Sequence, residues 1–443
     1  PSKLSSTTSQ SPLASNFSMT NRLQAAVFCL VLAGTTCLAQ PPTPPERVYT
    51  IEECLRIIRN DPKLQSAEQD VIIAESRVTE ARLRFLPEVG LQASATKFDA
   101  RYPFSLSPEF RNLLLFPGSP ENIYSGRGYF NLPLYEGQRT LNTLRLAQAS
   151  HKQALSNRDS VKMDLALLIK GAFYRLLLAQ GRSEALGEYL TAVELAANDG
   201  SPGLWERLEV EAALGSARSR AAEARYELDA ARLHFLKTLS IELDTAFRVE
   251  GRLETRPANL EVDRAITWAM EMRPELQSQT YRAQMDAIGV NLAMGRRNPT
   301  VFLAGDYELT AQRFPLKNNN WDVTLGIKIP FAYDFWSQLK QKRAEQRQGQ
   351  LARAELQDRV RLEVRQGAET LRWWQSEWPR RETQYKRMKA LYDDAVGKPG
   401  AIMSRLRARE GLLEFKLSHL TAIMEHILAR ARFERAVGRE LQQ

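Results

Sequence analysis

The sequence predicts an α+β membrane protein that is made of two similar repeats. Each repeat is predicted to supply two transmembrane β-strands and one long coiled-coil α-hairpin. One chain would therefore contribute four strands to a barrel that is shared within an oligomer. Three observations lead to this prediction: a duplicated proline pattern, segments in which apolar and polar residues alternate, and two long helical segments with a heptad seam.

Paired prolines mark the duplication. The sequence DPKLQS at residue 61 returns as RPELQS at residue 273, a shift of 273 − 61 = 212. Pro87 returns as Pro299 at the same shift. Repetition of this kind divides the chain into residues 51–255 (repeat 1) and residues 256–443 (repeat 2).

The segment before repeat 1 is predicted to direct export. Residues 1–39 are interpreted as an N-terminal extension and a signal peptide, because the apolar run Ala25–Gly34 is too short to span a bilayer and Ala39 offers a small residue for cleavage. Residues 40–50 are a Pro-rich linker. Cys37 is a poor candidate for lipid attachment, because the residues before it, GTT, do not match the usual small apolar pattern.

Composition argues against several classes of protein. The chain has 443 residues, of which 43% are hydrophobic and 26% are charged, so it is not disordered by composition. The net charge of +9 is interleaved along the helices, which indicates solvated helix faces rather than a nucleic-acid surface. Cys54 is the one cysteine beyond the signal segment, and the four histidines lack the spacing of a metal pair. We therefore predict no catalytic residue, no cofactor, no metal site and no enzyme.

Each repeat is predicted to begin with a helix. These helices cover Ile51–Phe85 and Val262–Arg297. The first of the paired prolines interrupts each helix, and the second ends it.

Strict alternation follows each of these helices. It covers Val89–Thr96, Val301–Thr310 and Trp321–Ile329, and more weakly Gly128–Leu134. A period of two over about ten residues predicts strands with one apolar and one polar face. Because no run of about 18 apolar residues follows the signal segment, a membrane crossing would have to use these strands. Aromatic residues gather near the strand ends, as in an interfacial belt: Phe98, Tyr102, Tyr135, Phe331, Tyr333 and Trp336.

Repeat 1 carries the longer loop between its two strands. The second strands end near Pro133 and Pro330, a shift of 330 − 133 = 197, so repeat 1 has 212 − 197 = 15 additional residues. They are assigned to the loop Arg101–Gly126, which we expect on the outer side of the membrane.

Two long antiparallel hairpins are predicted next. The segments Gln138–Asn198 and Phe335–Val396 are helical in pattern, and ~60 residues span roughly 90 Å. A heptad seam explains such a length, since steps of four and three keep one apolar stripe against a partner helix. In repeat 2 the seam contains Val360, Val364, Gly367, Leu371, Trp374 and Trp378.

Glycine and proline end the long helices and are candidates for the hairpin tips. Pro202 and Pro399 differ by 197, so both hairpins have the same reach from the strand ends. The candidate tip residues are Gly200, Pro202, Gly203, Gly397, Pro399 and Gly400.

The number of strands predicts an oligomer. Four membrane strands cannot close, open strand edges are not tolerated in lipid, and the smallest usual barrel has about eight strands. Several subunits must therefore share one barrel.

The order of these elements resembles the TolC-type outer-membrane efflux family (outer membrane factors) over about residues 48–441. The resemblance rests on the repeat, on the strand ends Leu132-Pro133-Leu134 and Ile329-Pro330-Phe331, and on the matched hairpin turns. It implies a homotrimer with a twelve-stranded barrel in outer-membrane lipid and a helical barrel that extends into the periplasm. It also implies docking to a periplasmic adaptor (a membrane fusion protein) and an inner-membrane transporter. The channel would passively conduct drugs, metal ions or secreted proteins in tripartite efflux or type I secretion.

One stretch departs from the family pattern. Family members often carry acidic residues just after the second hairpin turn, where they form a ring that narrows the tunnel. With Ala408 as the anchor, Ser404 and Arg407 occupy those positions. These two residues are the candidate periplasmic aperture, which we expect to be cationic or neutral. Alternatively, the arginines of this stretch are solvated or pair with acids such as Glu410.

Three other classes remain as alternatives at this stage. A periplasmic adaptor also has a coiled-coil hairpin, but it would have one hairpin and small β-domains. A structural coiled-coil protein of the cell envelope would not need alternating strands with aromatic ends. A nucleic-acid binder would fit the basic charge but not the export signal, so no nucleic-acid partner is predicted.

Overall fold

A computed structural model of the chain describes residues 47–97, 122–198, 203–255, 257–311, 313–398 and 401–440. The chain divides into a unit Pro1–Arg47, almost all of it outside these ranges, and a unit Val48–Gln443. The predicted signal peptide of residues 1–39 lies outside the described residues. Of the predicted linker 40–50, Arg47–Tyr49 form a short strand.

Repeat 1 follows the predicted order of helix, two strands and a long hairpin. The short strand β1 (Arg47–Tyr49) precedes the repeat. The elements of the repeat are α1 (Ile51–Ile57), a 3-10 turn (Ile58–Asn60), α2 (Pro62–Leu83), β2 (Glu88–Lys97), β3 (Asn122–Tyr135), α3 (Arg139–Asn198), α4 (Leu204–Thr238) and β4 (Phe247–Val249). The first predicted helix is thus interrupted at Pro62, as expected for a proline at the first position of a new helix.

Repeat 2 has the same order and matched lengths. Its elements are α5 (Val262–Met272), α6 (Pro274–Gly295), β5 (Thr300–Ala311), β6 (Asn318–Lys328), α7 (Phe335–Ala395) and α8 (Ile402–Val437). The hairpin helices have 60 and 35 residues in repeat 1 and 61 and 36 residues in repeat 2. The prediction of two hairpins with the same reach is therefore confirmed.

The four long strands form one antiparallel sheet in the order β2-β3-β5-β6. The register places Leu91 opposite Gly128, Tyr307 opposite Trp321, and Leu303 opposite both Leu132 and Leu325, so these apolar residues of the four strands share one face. On the other face Gln92 lies opposite Arg127, and Asp306 lies opposite Asp322. The apolar face is solvent-accessible in the single chain, where Leu91 is 90% exposed.

Strand β3 begins earlier than predicted. It starts at Asn122 rather than near Gly128, so residues 122–126 of the predicted loop Arg101–Gly126 are strand. Two glycines explain the error: Gly126 and Gly128 lie on the apolar face, where the missing side chains hide the alternation. Residues 98–121 of the loop segment lie outside the described residues.

Two apolar cores hold the helices together, one in each repeat. In repeat 1 the core lies between α1, α2, the middle of α3 and the end of α4, with Phe173, Leu176 and Phe235 fully buried. In repeat 2, Val364, Leu371 and Phe433 take the corresponding place between α5, α7 and α8. The predicted seam residues Val360, Val364 and Leu371 of α7 are all buried, which supports the heptad interpretation.

Within the part of the chain that the structure describes, no α-helix combines the length and the apolar character that a membrane crossing requires.

Candidate functional site at the hairpin ends

The ends of the two hairpins lie side by side. Leu406 and Leu413 of α8 are buried against Leu186 and Val193 of α3 and against Leu214 of α4. Helix α8 of repeat 2 therefore packs onto the hairpin of repeat 1 and brings the two predicted tips to one end of the molecule.

Two of the six candidate tip residues lie in the described part of the chain. Gly397 follows α7 with φ +93°, a left-handed conformation that favours glycine. Gly203 precedes α4 in an extended conformation, and Arg207 N donates a hydrogen bond to its carbonyl oxygen. Gly200, Pro202, Pro399 and Gly400 lie outside the described residues.

An exposed apolar patch beside the first tip was not predicted. Leu204, Trp205 and Leu208 occupy the first turns of α4, and Trp205 is 81% exposed. These residues are spaced as an ordinary helical stripe, so the sequence alone could not distinguish them from core residues. A cluster of exposed apolar side chains on a protein surface is typical of a contact site for another protein.

The candidate aperture residues are accessible. Ser404 is exposed on the first turn of α8. Arg407 is 68% exposed, and its Nη2 lies 3.8 Å from Oε1 of Glu209 on α4. Glu410 does not pair with Arg407, because its Oε1 accepts a hydrogen bond of 2.8 Å from Nη1 of Arg220. The Arg407–Glu209 pair is long and exposed, so it contributes little stability and leaves Arg407 accessible.

Further cations of α8 tie it to repeat 1. Lys416 Nζ lies 3.0 Å from Oε2 of Glu188 on α3, and Arg409 Nη2 donates to the Glu188 carbonyl oxygen at 3.4 Å. These contacts are also exposed and are expected to be weak individually. The hairpin ends are therefore joined by a small apolar seam and by loosely held charges.

A stronger joint lies farther from the tips. Arg435 of α8 donates to Asp164 Oδ1 at 2.7 Å, to Ser160 Oγ at 3.3 Å and, by a short hydrogen bond, to Glu275 of α6. Burial would raise the pKa of Glu275, but the hydrogen bond and charge of Arg435 outweigh burial and lower this pKa to about 2. Because Asp164 belongs to α3, this joint connects the two repeats through ionised groups.

A buried histidine lies on the same helix. His426 is fully buried, its Nδ1 is hydrogen-bonded to Thr255, and burial lowers its pKa to about 4. His426 Nε2 and Trp378 Nε1 are both buried without a hydrogen-bond partner among the described atoms. The imidazole is therefore expected to be neutral near pH 7 and part of the α7–α8 seam.

Most of repeat 1 matches a known protein family. Residues 56–240 match the family model described as "Outer membrane efflux protein". No curated protein matches this chain significantly in sequence.

Solved structures with the same fold are outer-membrane channels and proteins. The CmeC outer membrane channel of Campylobacter jejuni has a TM-score of 0.76 and 14% identity, with 89% of this chain and 86% of that chain covered. The outer membrane protein VceC of Vibrio cholerae has a TM-score of 0.73 and 15% identity, with 88% of this chain and 97% of that chain covered.

These comparisons confirm the resemblance to TolC-type outer-membrane efflux proteins that the sequence predicts. They also support the prediction that the chain is not an enzyme, since the matching family is one of efflux proteins and the shared fold is that of a channel. The aperture and tip residues stay predictions.

Proposed function

We propose that this chain is a subunit of an outer-membrane efflux channel that extends into the periplasm. The observation that carries this proposal is the four-stranded sheet with one continuous apolar face. Its strands have 10, 14, 12 and 11 residues, against the roughly 9–11 residues that a tilted transmembrane strand needs. A soluble protein would bury such a face, whereas lipid covers it without a partner layer.

The sheet edges support a shared barrel. Strands β2 and β6 each pair with one neighbour within the chain, so one edge of each strand is left without a ladder partner among the described residues. Lipid does not tolerate unpaired edges, and pairing β6 of one subunit with β2 of the next would close them. Three chains would give the twelve-stranded barrel that the family resemblance implies.

The hairpin ends are proposed to dock a periplasmic adaptor, which would deliver substrate from an inner-membrane transporter. The exposed cluster of Leu204, Trp205 and Leu208 offers an apolar anchor at the tip. Aromatic anchors of this kind dominate many protein interfaces. A single-hairpin adaptor is not favoured for this chain itself, because it has two hairpins and one four-stranded sheet.

The proposed location and assembly have a direct test. Full-length protein expressed in a Gram-negative host should fractionate with the outer membrane as a trimer that conducts ions in planar bilayers. A monomer in the soluble periplasm would refute the proposal.

The proposed aperture has a separate test. Arg407 is accessible, and we propose that it makes the constriction cationic or neutral. Arg407→Asp should shift the reversal potential toward cation preference in single-channel recordings. Arg232→Asp is the matched control, because Arg232 is exposed, forms a loose pair of 3.7 Å with Asp229 and lies on α4 far from the tip. An ion preference that is the same in Arg407→Asp and wild type would refute the aperture assignment.

A further inference from the structure

The helices that leave the sheet are unusually basic in their first turns. The first 20 residues of α3, 139–158, contain four Lys or Arg and no Asp or Glu. The first 20 residues of α7, 335–354, contain five Lys or Arg and one acid, Glu345. Both helices follow directly after strands, so this excess of positive charge is concentrated at one end of the sheet.

Part of this charge lies on the same side as exposed apolar residues. At 100° per residue, Trp336, Lys340 and Arg343 fall within about 60° of one another on α7. On α3, Leu141 and Arg145 are four residues apart and share a face in the same way. All five side chains are exposed. Each stripe therefore begins with an apolar residue next to the sheet and continues with cations.

The order of residue types continues from the strands. Ile327 belongs to the apolar face of β6, and Phe331 and Tyr333 follow it, with Tyr333 fully exposed. Trp336 is 69% exposed, and Lys340 lies about 6 Å farther along the helix. Aliphatic, then aromatic, then cationic side chains match the hydrocarbon, interfacial and headgroup layers of a bilayer leaflet.

The opposite side of the same helices has a different character. A cleft of about 700 Å³ is lined there by residues of both signs, and three of its four Lys and Arg side chains, those of Arg84, Arg296 and Lys342, pair with acids. Lys342 Nζ lies 2.6 Å from Oε2 of Glu345, and Arg84 Nη2 lies 2.8 Å from Oε1 of Glu80. In contrast, Arg145, Lys340 and Arg343 make no ion pair within the described ranges. These three residues are defined here as the basic collar.

We propose that the basic collar binds the phosphate groups of anionic phospholipids in the leaflet that adjoins the helices. The inference rests on the proposed function, which places the strands in a membrane. Each Lys or Arg near an anionic membrane surface adds a favourable contribution that falls off within a Debye length. The collar would fix the depth of the channel in the membrane and select anionic over zwitterionic lipid.

The test compares lipid selectivity in two matched double variants. The purified trimer is reconstituted in phosphatidylcholine vesicles that contain spin-labelled phosphatidylglycerol or spin-labelled phosphatidylcholine. The motionally restricted fraction then gives the relative association of each lipid. We expect wild type to prefer phosphatidylglycerol. In Lys340→Gln/Arg343→Gln the relative association of phosphatidylglycerol should fall roughly fivefold for each cation removed.

The control is Arg365→Gln/Lys389→Gln, which removes the same two charges from exposed positions of α7 farther from the sheet. Arg365 lies about 33 Å beyond Arg343 along the helix. This control should keep the wild-type preference. Equal lipid preference in all three proteins, or no preference in wild type, would overturn the proposal. It would also be overturned if inorganic phosphate, added at unchanged ionic strength, abolished the preference of wild type.

Channel conductance in the same vesicles separates the two proposals. Wild-type channels that conduct without lipid preference would refute the collar and leave the proposed function standing. Protein that neither inserts nor conducts would refute the proposed function itself.

Discussion

The junctions at Pro62 and Pro274 have the same backbone but different chemistry. Asp61 and Arg273, the residues before these prolines, have φ/ψ of −67°/129° and −65°/123°, and each junction opens a helix of 22 residues. In repeat 1, Asp61 Oδ1 caps the helix by accepting a hydrogen bond of 2.8 Å from Lys63 N, and its Oδ2 accepts one long hydrogen bond of 3.4 Å from Ser240 Oγ. In repeat 2, the Arg273 side chain provides no cap. Its Nη1 instead lies 2.6 Å from Oε2 of Glu363 on α7.

The proline, and not the cap, therefore defines the turn. Proline fixes its own φ and restricts the residue before it to extended backbone, so the side chain at that position is free to change. Repeat 1 uses this freedom for a local helix cap. Repeat 2 uses it for a tertiary network that includes Arg273, Glu275 and Arg435. Three measurements test whether the two junctions differ in this way.

Removing Arg435 is expected to have the largest effect. Arg435→Leu leaves Glu275 largely buried without its main partner, and such a loss costs about 4 kcal/mol of unfolding free energy. The matched position in repeat 1 is Thr238 (435 − 197 = 238), whose Oγ1 bonds only to its own helix. Thr238→Ala should change stability by about 0.5 kcal/mol or less. Denaturant unfolding of both variants checks the contrast, which equal midpoints would contradict.

Acid is expected to weaken repeat 2 through Glu275. The pKa of Glu275 is about 2 when folded, against an ordinary value of 4.5, so the unfolded state binds more protons between these values. Its contribution, about 3 kcal/mol, is therefore complete above pH 4.5 and is lost as the pH falls toward 2.

The measurement is unfolding free energy as a function of pH for wild type and Glu275→Gln. The variant should be less stable at neutral pH and should lose less stability over this acid range. Parallel curves would show that Glu275 does not cause the acid dependence of stability.

His426 acts separately. Because its pKa is lowered from the ordinary value of 6.5 to about 4, its contribution makes stability fall with acid mainly between these two values.

Removing the cap of repeat 1 is expected to have the smallest effect. Asp61→Ala loses the capping hydrogen bond and the long hydrogen bond from Ser240, and should cost about 1 kcal/mol. Asp61→Asn is the control, since asparagine also caps helices and should restore most of that stability. A loss of stability as large as that of Arg435→Leu would mean that the residue before the proline makes strongly stabilising tertiary contacts in both repeats.

Much of the fold follows from local patterns in the sequence. The paired prolines locate the helix starts, the alternation locates β5 and β6, and the heptad steps identify Val364 and Leu371 as buried. The start of β3 was missed because glycine carries no side chain to alternate.

The joint between the repeats could not be predicted. Arg435 is separated from Glu275 by 160 residues and from Asp164 by 271 residues, and neither distance leaves a local pattern. The exposed position of Trp205 was missed for a related reason. Periodicity shows that a stripe is apolar, but whether a partner covers it depends on where the helices lie in three dimensions.

The position of Arg435 also means that a small rotation at this joint gives a larger displacement at the hairpin ends. Asp164, which Arg435 holds, lies 34 residues before the end of α3 (198 − 164 = 34), a lever arm of about 50 Å. Near the hairpin ends, the polar contacts between the hairpins include exposed ion pairs such as Lys416–Glu188. A rotation of about 5° at the joint therefore displaces the hairpin ends, which include Arg407, by about 4 Å.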